Sequence, residues 1–116
     1  MPSLKVLAIC LASMMHGEAR GEGDVGMLAV GKVAVERTHL SGRDACQVVG
    51  APGQFAGYDP GYLPTRHEVA LAMRALAGEG PQLYGADHFA ERSVRPHWRA
   101  ERVATIGNHT FYRTRR

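Results

Sequence analysis

A chain of 116 residues holds one hydrophobic core and is too short for a catalytic domain joined to a separate binding module. Its apolar fraction of 45% and charged fraction of 22% are those of a globular protein and exclude long disordered stretches. Fourteen Lys and Arg against eleven Asp and Glu give a net charge of +3. The excess gathers between Arg92 and Arg102 and in the tail Arg113, Arg115 and Arg116, a distribution that suits a polyanion, whether nucleic acid or wall polymer, or simply a solvated exterior.

The N-terminal run MPSLKVLAICLASMM has the outline of a secretion signal, but it has one positive charge and leads without a spacer into HGEARGE. It reads as a core helix, capped by Ser3 and running from Leu4 to about Gly17, and it is far shorter than the ~20 residues that span a bilayer. Leu7, Leu11 and Met14 form one stripe, and at ~100° per residue Glu18 falls within about 40° of it, on the inward face. A carboxylate so placed is a candidate catalytic acid whose proton affinity partial desolvation raises. The alternative is a buried ion pair with Arg20. Gly17, Gly21 and Gly23 end the helix and leave room for a ligand near the backbone.

Asp24 is the expected N-cap of a second helix from Val25 to about Thr38, apolar on nearly every side and therefore central. Ala45 to Val49 reads as a short helix or strand. The Gly- and Pro-rich stretch that follows, to Thr65, reads as a long irregular loop. It carries Gln54, Phe55, Tyr58 and Tyr62, which suit a sugar or a base, or else wrap the core. Thr65 and Glu68 form a capping box for a scaffold helix that ends at Gly78. Short extended segments are expected at Tyr84–Phe89 and His109–Tyr112, with a short helix within residues 96–108. Trp98 is either core or a stacking platform for a sugar ring.

His16, His39, His67, His88, His97 and His109 show no ligand spacing, and His67–Glu68 lacks the second His of a metalloprotease helix, so no metal or other cofactor is expected. Cys10 and Cys46 form neither a zinc motif nor a disulfide framework, and whether they pair is left open by the sequence. Glycoside cleavage needs an acid at the leaving oxygen and generally a second carboxylate. Glu22 is near in sequence, but a pairing with Arg20 or another basic group is its simpler role.

The ordered series HGEARGE (from His16), GMLAVGKVAVERT (Gly26–Thr38), CQVVGAPGQF (Cys46–Phe55), GADHF (Gly85–Phe89), PHW (Pro96–Trp98) and IGNHTFY (Ile106–Tyr112) resembles the spore-cortex-lytic, SleB-type family of cell-wall hydrolases over nearly the whole chain. The resemblance implies an α+β, mainly helical, lysozyme-like single domain over residues 1–116 with a few short strands. It implies cleavage of peptidoglycan between N-acetylmuramic acid and N-acetylglucosamine, usually as a lytic transglycosylase. Glu18 matches the family's catalytic glutamate. Gln54, Phe55, Asn108 and His109 match positions that shape the cleft, to which Tyr58 and Trp98 are added as substrate contacts; Arg20 and Glu22 are read as structural support. Where the family has an Asn–Arg pair this chain has Glu36–Arg37, and Glu36 could serve as a second carboxylate for hydrolysis.

The expected partner is the peptidoglycan glycan strand, with no nucleic acid, no membrane anchor and a monomeric enzyme. A free-standing catalytic domain of this kind suits a bacteriophage lysis enzyme held in the host cytoplasm before release, or a bacterial enzyme exported to the wall or periplasm by another route. A muramidase-type hydrolase and an N-acetylmuramoyl-L-alanine amidase are the alternative activities, and a basic module binding wall polymer or nucleic acid is the non-enzymatic one.

Overall fold

In the computed structural model, which describes residues 2–114, Ser3 caps α1 (Leu4–Ala19) by accepting the N–H of Val6 at 3.2 Å. Arg115 and Arg116 of the basic tail lie outside the described residues. Leu11 and Met14 of the expected stripe are fully buried, together with Ala8, Ala12 and Met15. The segment with the outline of a secretion signal therefore supplies core. No helix among the described residues is long and apolar enough to cross a membrane.

The second helix, α2 (Gly23–Ser41), starts earlier than expected. Asp24 is not its cap: it lies in the first turn, where a negative charge suits the helix dipole, and accepts from His67 Nε2 at 2.8 Å. Glu22 occupies the cap position without capping, because its carboxylate is committed elsewhere. Gly26–Val30, Val33 and Ala34 are buried, as an all-round apolar helix requires. Residues 45–49 resolve as helix, α3 (Ala45–Gly50), through a capping box between Asp44 and Gln47. The expected capping box of Thr65 and Glu68 starts α4 (Arg66–Leu76), which packs with α1 and α2 around Leu71, Ala72 and Ala75.

Three strands, β1 (His88–Glu91), β2 (Ala100–Ile106) and β3 (His109–Thr114), form an antiparallel sheet in the order β1-β3-β2. It rests on the helices through the fully buried Phe111. Two expectations change here. The first strand begins at His88 rather than Tyr84, because Tyr84 is exposed and turns at φ 52°. Residues 100–106 are strand rather than helix: Val103, Thr105 and Ile106 are β-branched, and the two-residue Gly107–Asn108 turn pairs Ile106 with His109. The architecture is thus mixed α+β and mainly helical, as expected.

A disulfide joins Cys10 of α1 to Cys46 of α3, with Cα atoms 5.1 Å apart and a sequence separation of 36. It closes a loop that includes all of α2. On the loop-entropy relation its removal costs about 4 kcal/mol, so the double variant Cys10→Ser/Cys46→Ser should unfold at clearly lower denaturant than the oxidised protein. Equal midpoints would show that the bond contributes nothing.

Candidate active site

Glu18 sits on the last turn of α1, half-buried, where the helix meets the loop of residues 51–65. The two chain segments touch backbone to backbone at Gly17 and Gly57: a Cβ on Gly17 would overlap the carbonyl of Gly57. Gly17 thus leaves space for another stretch of the chain rather than for a ligand. That approach brings the Gly57 N–H to Glu18 Oε1 at 2.8 Å, which fixes the carboxylate and leaves Oε2 for other contacts.

The loop is held from beneath by α1 and α4. Ser13 Oγ donates to the Asp59 carbonyl at 2.7 Å. Glu68, buried at 8% exposure, accepts from His16 Nδ1 at 2.6 Å, from the Tyr62 hydroxyl at 2.7 Å and from the Thr65 N–H at 2.9 Å. His16 stacks on Tyr62 with ring centroids 3.9 Å apart. Burial pushes the Glu68 carboxyl up, but the Thr65 N–H, Tyr62 and His16 outweigh it and hold Glu68 below its ordinary value. A lowered native pKa stabilises the fold fully above the unfolded carboxylate range, about pH 4 to 5. That contribution is lost as pH falls through the lower native value. Acid unfolding of the wild type should therefore be steeper than that of Glu68→Gln; parallel stability–pH curves would refute the ionic role.

The sheet forms the opposite wall. Glu22 Oε1 accepts from the Asn108 backbone N–H at 2.7 Å and Oε2 from the Asn108 side-chain amide at 3.0 Å, and His109 Nδ1 lies 3.5 Å from Oε1. The Asn108 N–H lowers the Glu22 pKa, burial opposes it, and His109 adds to the lowering. Gly107, at φ 57°, lets the hairpin tip come this close, since a Cβ there would strike the Glu22 carboxylate. Glu22 therefore supports the site through the β2–β3 hairpin and not through Arg20, which is exposed and has no hydrogen bond or ion pair from its side chain among the described residues.

Between these walls two clefts meet at Glu18. One, of about 360 Å³, is lined by Arg37, Gln54, Phe55, His88 and Trp98; the other, of about 420 Å³, by Gly57, Ala90, Glu91 and His109. Glu18, Ala56 and Phe89 belong to both, and Glu18 is the one carboxylate they share. Of the expected contacts, Gln54, Phe55, Trp98 and His109 thus come together around Glu18. Tyr58 does not, because its ring packs against the core, and Asn108 is spent on Glu22. Glu36 lines neither cleft.

Arg37, His88 and Phe89 were not singled out from sequence, although Arg37 stood next to the Glu36 substitution. Arg37 ties the two walls together: Nε donates to the Asp87 carbonyl at 2.7 Å, Nη1 to Gln54 Oε1 at 3.0 Å, and the guanidinium lies 4.6 Å over the Phe55 ring. Burial lowers its pKa while the charges of Asp87 and Glu18 raise it. Among the described residues no three His, Cys, Asp or Glu side chains are arranged to hold a metal ion.

Residues 21–112 match a family described as cell wall hydrolase; Glu18 lies just ahead of the matched segment. Among relatives, the cell wall hydrolase CwlJ of Bacillus subtilis is 31% identical over 88% of this chain and 81% of its own length. That of Oceanobacillus iheyensis is 37% identical over 60% of this chain and 56% of its own, so the chain spans little more than half of that relative. In fold, the catalytic domain of Bacillus cereus SleB superposes with a TM-score of 0.80 at 20% identity, covering 97% of this chain and 93% of that one. The catalytic domain of the germination-specific lytic transglycosylase SleB from Bacillus anthracis gives 0.80 at 21% identity, with 97% of each chain covered.

Proposed function

The chain belongs to the cell wall hydrolase family, and from that premise we propose that it is a peptidoglycan-degrading enzyme, a lytic transglycosylase that cuts between N-acetylmuramic acid and N-acetylglucosamine. The observation that carries the reading is the position of Glu18 as the one carboxylate common to two adjoining clefts. An enzyme cutting within a polymer needs its acid between two groups of sugar-binding positions, and a place where two clefts meet supports that reading for Glu18.

Glu18 protonates the glycosidic oxygen and, as carboxylate, then takes the proton of the muramyl 6-hydroxyl, which closes a 1,6-anhydro ring. The Gly57 N–H keeps one oxygen oriented while the other transfers the proton. Phe55, Phe89 and Trp98 offer aromatic surface to the sugar rings, and the Gln54 amide nitrogen and His109 offer polar contacts. The whole of residues 1–116 is assigned to this one catalytic domain. The disulfide suits work at the wall, outside a reducing cytosol.

Glu91 favours a second reading. It lines the same cleft as Glu18 and could activate a water, which would make the enzyme a muramidase. Mass spectrometry of the products from purified peptidoglycan separates these readings. Anhydro-muropeptides are expected; reducing muropeptides would transfer the assignment to the muramidase, and free stem peptides with uncut glycan, the amidase outcome, would overturn both.

A further inference from the structure

A wider concavity than either cleft around Glu18 lies on the sheet. Arg92, Arg95 and Arg102 line a cleft of about 600 Å³ with Trp98, Thr105 and Tyr112, against the β2–β3 hairpin. Among the described residues no carboxylate lines it. Among the described residues the Arg92 side chain reaches only the Gly107 carbonyl, at a long 3.5 Å, and the Arg95 and Arg102 side chains have no hydrogen bond or ion pair. The other arginine of the strands is neutralised: Arg113 pairs with Glu101 and donates to the Tyr84 carbonyl at 3.1 Å. Three guanidinium groups around one hollow repel one another, and an anion between them removes that cost.

The hollow is joined to the glycan groove by a single side chain. Trp98 lines both the arginine cleft and the cleft of Glu18, and its indole is held between His88, at 4.8 Å, and Tyr112, at 5.5 Å between ring centroids. A group branching from a sugar at Trp98 is therefore within reach of the arginine cleft. The N-acetylated sugar backbone is uncharged. The anionic branches of peptidoglycan are the peptide stems on muramic acid, which carry free carboxylates.

Resting on the peptidoglycan reading, the geometry points to the arginine cleft as a binding site for stem-peptide carboxylates, which selects peptide-bearing muramic acid at the Trp98 end of the groove. Guanidinium forks take carboxylates in paired hydrogen bonds, so Arg95 and Arg102 supply the recognition and the Trp98–Tyr112 wall guides the stem.

The test uses glycan strands with intact stems, freed of phosphate polymers by hydrofluoric acid, and the same strands after carbodiimide-driven amidation of the carboxylates. On the free-carboxylate strands Arg95→Ala/Arg102→Ala should lose on the order of tenfold in kcat/KM relative to wild type. On amidated strands the ratio of the two enzymes should return to near one. The wild type, with no substitution to disturb its fold, should itself prefer the free-carboxylate strands. Equal cutting of both strands by the wild type, an equal loss on both in the variant, or a difference seen only on walls that retain phosphate polymers would overturn the inference and leave the peptidoglycan reading standing. Release of no glycan fragment from any strand by the wild type would overturn both.

Discussion

Replacing Glu18 by Gln should leave the fold intact and reduce peptidoglycan cleavage by roughly three orders of magnitude, within the range that a positioned proton-transfer group contributes. The substitution is nearly isosteric, and the amide oxygen still accepts the Gly57 N–H that the carboxylate accepts at 2.8 Å. What is lost is the transferable proton. Two measurements are needed together: release of soluble fragments from purified peptidoglycan, and the thermal unfolding midpoint. A folded variant that keeps full activity would sink the assignment of Glu18, whatever the family membership says, because the matched family segment begins only at residue 21.

Gly17→Ala should be strongly damaging for a single added methyl group. Its Cβ would meet not the far end of a flexible side chain but the backbone of Gly57, and a Cβ on Gly57 would in turn meet the backbone of Gly17 and Glu18. The loop on which Gly57 lies is anchored through Ser13, His16, Tyr62 and Glu68, so it cannot yield without breaking buried contacts. Overpacking of this kind costs about 3 kcal/mol or more, which lowers the midpoint of a chain this size by roughly 10 °C or more. Activity should fall even at temperatures where the variant is folded, because the N–H that orients Glu18 moves with the loop. A variant with wild-type midpoint and wild-type cleavage would show that the close approach is unimportant.

The same contacts show how far the sequence could be read. Its periodicity was sufficient for the helices: of the stripe Leu7, Leu11 and Met14 the last two are fully buried and Leu7 partly, and α2, apolar on nearly every side, is central. The Thr65–Glu68 box starts α4. Local patterns fix such features because a helix buries one face at a fixed angular spacing and satisfies its first N–H groups with nearby side chains. The β2 strand was the failure. Its Gly107–Asn108 turn was not read from the sequence, the basic, Trp-containing stretch before it did not alternate cleanly, and its pairing with β3 carries an irregularity between Arg102 and Ala104.

The sequence by itself determined the three longer helices and the strand at His109, the family resemblance and the choice of Glu18 as the carboxylate to follow. Which groups surround that carboxylate was decided only by tertiary structure. Glu22 finds Asn108 across 86 positions of sequence, Glu68 finds His16 across 52, and Arg37 joins Gln54 to the chain at Asp87. Partners so far apart leave no mark in local spacing, since each is chosen by the packing of whole elements. The meaning of HGEARGE is divided accordingly: Gly17 admits the loop, Glu18 faces the cleft, Arg20 is left exposed, and Glu22 holds the hairpin that forms the far wall.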